Sequence, residues 1–130
     1  MQAPENAKTF ELPGSTMWFD ELGILNSVSK KAPPRNLAET KEIIQKLKGI
    51  LKQEKVCMLI DSTNSSPPFK EVRDYLSQEM PKITKAIALI SSSPLGRMVA
   101  NLFFNIKKQP YPVKMFNKEQ EAREWLKQYL

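Results

Sequence analysis

The residues best suited to chemistry gather at two points, Asp61-Ser62-Thr63-Asn64-Ser65-Ser66 and Ser91-Ser92-Ser93-Pro94. Each follows a short apolar run, Val56-Cys57-Met58-Leu59-Ile60 in the first case and Ala86-Ile87-Ala88-Leu89-Ile90 in the second. An acid and hydroxyls at the end of an apolar strand, with a helical pattern next, mark the corner where α/β proteins place function. If the two strands run parallel, Asp61, Ser62, Thr63, Ser92 and Ser93 share one rim, with Arg97 in the first turn of the following helix. Hydroxyls, free helix N–H groups and an arginine together suit an anion such as phosphate or carboxylate. The same atoms also suit plainer work: Ser93 caps its helix, Ser65 or Ser66 caps another, and Asp61 bonds a turn amide.

Catalysis is hard to assemble. Histidine is absent, which excludes imidazole-dependent triads and histidine metal sites. The one cysteine, Cys57, lies inside an apolar run, where thiols are buried and inert, and a lone sulfur gives no zinc framework. The chain has 4 glycines and neither a phosphate-binding glycine loop nor a dinucleotide fingerprint. Asp61 is the one acid at the end of a core strand, and a single carboxylate without a partner is a poor acid/base catalyst. No enzyme, no metal and no cofactor is expected.

These residues need elements to position them. The five-residue apolar runs suit strands covered on both faces. Before them, Thr16-Met17-Trp18-Phe19-Asp20 and Ile24-Leu25-Asn26-Ser27-Val28-Ser29 read as an antiparallel hairpin turning at Glu21-Leu22-Gly23. In its second strand Ile24, Asn26 and Val28 share one face, and Leu25 and Ser27 the other. Residues 9–12 suit a short extended piece before the Pro13-Gly14 turn, and residues 1–14 are expected to be partly disordered. After the Pro33-Pro34 linker, Asn36 and Glu39 form a capping box that opens a helix to about Lys52, with Ile43, Ile44, Leu47, Ile50 and Leu51 on its stripe. Pro67-Pro68 suits the start of a second helix striped by Phe69, Val72, Leu76 and Met80. A third carries Leu95, Met98, Val99, Leu102, Phe103 and Ile106 at helical spacing. Val113-Lys114-Met115-Phe116 reads as a last strand. Asn117, with Gln120 in the capping-box position, opens a fourth helix buried through Ala122, Trp125, Leu126, Tyr129 and Leu130. The order is β-β-α-β-α-β-α-β-α, with parallel neighbours and right-handed crossovers in its repeating part.

Charge bears on partners. The net charge of +6 is concentrated in the second half, and no acid occurs between Glu79 and Glu119. Such a field can attract an acidic protein, an anionic lipid surface or nucleic acid, or simply keep a face solvated. Aromatic interleaving of the RNA-recognition kind is missing from the basic stretch, so nucleic acid ranks low. Phe104 beside Lys107 and Lys108 suits a membrane surface, while the rest of that helix stripe suits a core. The lone cysteine, an N-terminus without signal-peptide blocks and the lack of a spanning apolar run point to the cytoplasm.

The stretch Ala86-Ile87-Ala88-Leu89-Ile90-Ser91-Ser92-Ser93-Pro94-Leu95-Gly96-Arg97-Met98-Val99-Ala100-Asn101, taken with the element order, resembles a group of short, uncharacterised bacterial proteins. That group is similar to the STAS domain, the fold of anti-sigma-factor antagonists. The resemblance runs from about Thr16 to Leu130 and is better in the second half. In STAS regulators the loop after the central strand carries an Asp-Ser-Ser/Thr-Gly motif whose hydroxyl is phosphorylated by a partner kinase. Asp61-Ser62-Thr63 matches its first part, so the resemblance implies Ser62, and after it Thr63, as the modified residue. Asn64 stands where that motif has glycine.

The sequence is therefore read as one α/β, STAS-like domain over residues 1–130: a mixed sheet led by an antiparallel hairpin, then βα repeats, with four helices. The function read from it is a non-enzymatic cytoplasmic module that binds a protein partner through the rim of Asp61, Ser62, Thr63, Ser92, Ser93 and Arg97. The alternative is a small-anion or lipid-headgroup module using that rim and the basic stretch 80–118.

Overall fold

The computed structural model describes residues 1–104 and 109–130. Among them, six strands form one mixed sheet in chain order: β1 (Phe10–Leu12), β2 (Ser15–Phe19), β3 (Leu25–Ser29), β4 (Val56–Asp61), β5 (Thr84–Ile90) and β6 (Val113–Phe116). The first three are antiparallel, and β3 through β6 are parallel neighbours. The helices are α1 (Leu37–Leu51), α2 (Lys70–Ile83), α3 (Pro94–Phe104) and α4 (Glu119–Leu126), with a short 3-10 turn at Lys127–Tyr129. The expected α/β architecture is present, with β1 added at the front. Phe10 pairs with Met17 there, inside the stretch expected to be partly disordered.

Alternation along each strand sorts the core into two layers. Met58 of β4 and Ile87 and Leu89 of β5 face α1 and α2, where Ile43, Ile44, Leu47, Val72, Leu76 and Met80 complete one cluster. Cys57, Leu59, Ala86, Ala88 and Ile90 face the other way, onto Ala122 and Leu126 of α4. Covering both faces is what lets β4 and β5 be apolar throughout. Three crossovers advancing in one direction put α1, α2 and α3 on the same side, and α4 closes the other.

One polar network locks α4 in place. Asn26 is fully buried. Arg123 of α4 donates to its side-chain oxygen at 2.8 Å and to Asp20 Oδ2 at 2.9 Å. Asp20 Oδ1 in turn accepts the Leu22 and Ile24 amides of the hairpin turn. Buried polar atoms persist only when partnered in this way.

Several local expectations are corrected. The Asn36–Glu39 capping box is present as read, but Ile50 is 40% exposed, off the buried stripe. Neither Ser65 nor Ser66 caps α2. Its N-cap is Phe69, without a side-chain bond, and the Phe69 side chain is exposed. Ser66 Oγ donates to Ala32 O at 2.6 Å instead, tying this loop to the Pro33-Pro34 linker. The α4 N-cap is Lys118, not Asn117, because the Asn117 amide oxygen is taken by Arg97. Leu130 is exposed. On α3, Leu95 and Met98 are exposed, whereas Gly96, Val99 and Ala100 face the sheet. Small residues on that face let the helix approach closely. The expected surface group of Phe104, Lys107 and Lys108, and the stripe positions Leu102, Phe103 and Ile106, fall outside the described residues and side chains. No helix among the described residues is long and apolar enough to cross a membrane.

Candidate functional site

The register of β4 and β5 brings the two polar tips together. Asp61 pairs with Ile90, so the loops that follow emerge side by side at the carboxyl edge of the sheet. The Ser62 amide donates to Ile90 O at 2.9 Å and extends the ladder past the strand.

Alternation also continues one residue beyond β4. Met58 and Ile60 face the α1–α2 layer, so Ser62 faces that way as well, beneath α3. Ser62 is 3% exposed, and its hydroxyl donates to Gly96 O at 3.1 Å. A kinase cannot reach this oxygen unless the loop lifts from α3.

Asp61 points to the opposite face and closes a turn. Its Oδ1 accepts the Thr63 amide at 3.0 Å and the Thr63 hydroxyl at 2.6 Å, as the turn-bonding reading anticipates. Thr63 then fastens the second loop. Its Oγ1 accepts the Ser92 amide at 3.0 Å, and its carbonyl accepts the Ser93 hydroxyl at 2.8 Å. Ser93 Oγ also accepts the Gly96 amide at 2.9 Å, which makes it the cap of α3. Ser91, buried, bonds Ser93 through both donor and acceptor.

Gly96 is the contact point between helix and loops. A Cβ there would stand 2.5 Å from Ser62 O and 2.5 Å from Ser91 Oγ. Asp61, Ser62, Thr63, Ser92 and Ser93 are thus assembled at one edge. Arg97 is not among them: its guanidinium turns toward β6, to Met115 Sδ at 3.3 Å and to the Asn117 side chain. Its amide and that of Gly96 are already bonded to Ser93. The hydroxyls of the expected anion cradle are in place, but its arginine is not.

Thr63 and Ser93 are half-buried and Ser92 is exposed. Beside them, on the outer face of α3, Leu95 is 55% and Met98 59% exposed. Their helical spacing suits either a core or a lipid or partner groove and favours the core, but both lie outside it. Cys57 offers no nucleophile: it is buried, and burial pushes its thiol pKa up, opposed weakly by Lys85.

The sheet and its two helix layers form a SpoIIAA-like α/β fold. A protein from the DUF3478 family with a SpoIIAA-like fold, from Shewanella loihica PV-4, has a similar structure: 18% identity, covering 97% of this chain and 98% of that chain, with a TM-score of 0.54. A protein with unknown function from Arthrobacter sp. FB24 shares 24% identity over 85% of this chain and 90% of that chain, with a TM-score of 0.32. No curated protein matches the sequence. Residues 17–130 match the family described as a domain of unknown function (DUF7793), and the chain belongs to that family.

Proposed function

We propose that this chain is a non-enzymatic regulatory module of the cytoplasm that binds a protein partner through the carboxyl edge of β4 and β5. The observation that carries the reading is the exposure of Leu95 and Met98 one turn apart on α3, directly beyond the latched loops. Exposed apolar side chains rimmed by hydroxyls suit a protein surface better than a small ion. The resemblance to STAS regulators supports the same use of this edge. A small anion or lipid headgroup has less to rest on, because Arg97 is engaged at β6.

The switch belongs to Thr63 in this reading. Its hydroxyl is nearer the surface than that of Ser62 and bonds Asp61 at 2.6 Å. A phosphate on Thr63 would carry a charge of about −1.5 to −2 against the Asp61 carboxylate. It would also end the bond between Asp61 and the hydroxyl, and the loops would part from α3.

Affinity capture from the cells that make the protein tests this reading. The wild-type chain should retain one stoichiometric protein, and a folded L95K/M98E variant should lose it. Equal recovery by both, or none by either, would overturn the proposal. Unmodified and Thr63-phosphorylated chains should differ at least tenfold in affinity for that partner; equal affinity would remove the switch.

A further inference from the structure

A pocket lies between the sheet and the α1–α2 pair and extends to Ser62, Val99 and Ala100 beneath α3. There β2 and β3 turn serines, not large apolar residues, toward the helices: Ser15, Ser27 and Ser29 are each buried. Ser15 pairs with Ser29, and Met17 with Ser27, so the small residues are adjacent. They are too short to fill the space under α1. A cavity of about 190 Å³ remains, walled by Leu25, Ile44, Leu47, Met58, Leu76 and Met80. The space opens to solvent on one side, and walls that are mainly apolar with a few polar groups suit an amphiphilic guest.

The mouth is polar. Arg35, from the linker before α1, lines it. Its Nη2 donates to Ser15 Oγ at 2.6 Å and its Nε to Pro13 O. A guanidinium has five N–H donors, so others remain. Among the described residues no carboxylate forms an ion pair with Arg35. Glu39 acts on it only through space, and burial lowers the Arg35 pKa from its ordinary value. A half-buried cation with no carboxylate in direct ion pairing, at the mouth of a mainly apolar cavity, is half of an amphiphile site. Ser27 Oγ bonds to none of the described residues and lines the same space.

We propose that this cavity binds a single-chain aliphatic monocarboxylate of medium length, its tail between β3 and α1 and its carboxylate on Arg35. The volume favours one chain. It is slightly above the ~150 Å³ of a cavity that admits benzene and below the ~300 Å³ at which drug-sized pockets begin. One guanidinium matches one negative charge. The lining reaches Asp61, Ser62, Val99 and Ala100 beneath α3 but not Thr63, Leu95 or Met98, on which the partner proposal rests, so failure of this site would leave that proposal standing, and the reverse.

The test titrates the full chain with hexanoate, octanoate and 1-octanol by calorimetry and amide NMR. Octanoate should saturate the wild-type chain, with shifts at β3 and α1. Each added methylene should tighten binding roughly fourfold until the space is full. R35Q should weaken octanoate at least about tenfold and leave octanol unchanged. S27I fills the cavity from β3. It should abolish binding of both probes while Tm holds or rises, and it keeps the test decisive if R35Q does not fold. Absence of saturable octanoate binding, wild-type affinity in S27I, or equal weakening of acid and alcohol by R35Q would overturn the proposal.

Discussion

The hydroxyl of Thr63 lies 3.3 Å from that of Ser92, although the two residues are 29 positions apart in the chain. They meet because β4 and β5 run parallel and end in register, Asp61 against Ile90. The two loops therefore act as one surface, and α3 is fixed to both through Ser93 and Gly96. Two hydrogen bonds, Ser93 Oγ to Thr63 O and the Gly96 amide to Ser93 Oγ, join Thr63 to the helix turn that carries Leu95 and Met98.

Ser93 carries one end of that link. S93A removes the cap on the Gly96 amide and the bond to Thr63 O together. Urea denaturation should show a loss of about 1–2 kcal/mol, more than a cap alone in a peptide. S93T, which keeps the hydroxyl, should recover most of it. A loss under ~0.3 kcal/mol in S93A would mean that the loops are held by other contacts.

Gly96 carries the other end. In an open helix G96A would stabilise by up to about 1 kcal/mol. Here the new Cβ meets the Ser62 carbonyl and Ser91 hydroxyl at 2.5 Å, so sign reversal is expected. Chemical denaturation should give a destabilisation of about 1–3 kcal/mol. Amide exchange should rise at residues 61–63 and 91–97, and a stabilised G96A would refute the close approach.

The buried network on the other face is a separate test of the fold. R123A leaves Asp20 and the buried Asn26 short of a donor. It should cost about 2–3 kcal/mol. R123K should recover less than half, because one ammonium cannot reproduce the planar fork across two acceptors. Thermal melts of the three proteins decide this.

Tyr111 sets an alkaline limit. Burial raises its phenol pKa from 10 to about 12. The folded state thus disfavours the phenolate. The associated stability is complete below pH 10 and is lost as pH rises through about 12. It amounts to on the order of 2 kcal/mol. Stability of the wild type should fall more steeply than that of Y111F between these values. Superimposable pH profiles would place the Tyr111 hydroxyl in water.

What could be read from the residues alone was what local pattern controls. The unbroken runs of β4 and β5 declared covered strands, and the parallel meeting of their tips followed from βα order. The Asn36–Glu39 box is local and was legible, but Asn117 was not: its cap position is emptied by Arg97, 20 residues away. Counting large side chains at helical spacing put Leu95 and Met98 inside α3. The opposite face won because Gly96 and Ala100 let the helix settle closely against the sheet. Ser62 was ranked above Thr63 as the modifiable hydroxyl by motif position. Carrying strand alternation one residue past Asp61 would have shown it facing inward. Arg35 has no local pattern to mark it: only the tertiary structure sets this linker arginine beside a cavity.

The surface around Thr63, Leu95 and Met98 is tested most directly by mapping amide shifts of the labelled chain with its captured partner. The largest changes should fall at residues 61–63 and 92–98 and should diminish when Thr63 carries phosphate. Changes centred on β1 and β2, or on the outer face of α4, with residues 61–63 and 92–98 unmoved, would contradict the proposed surface.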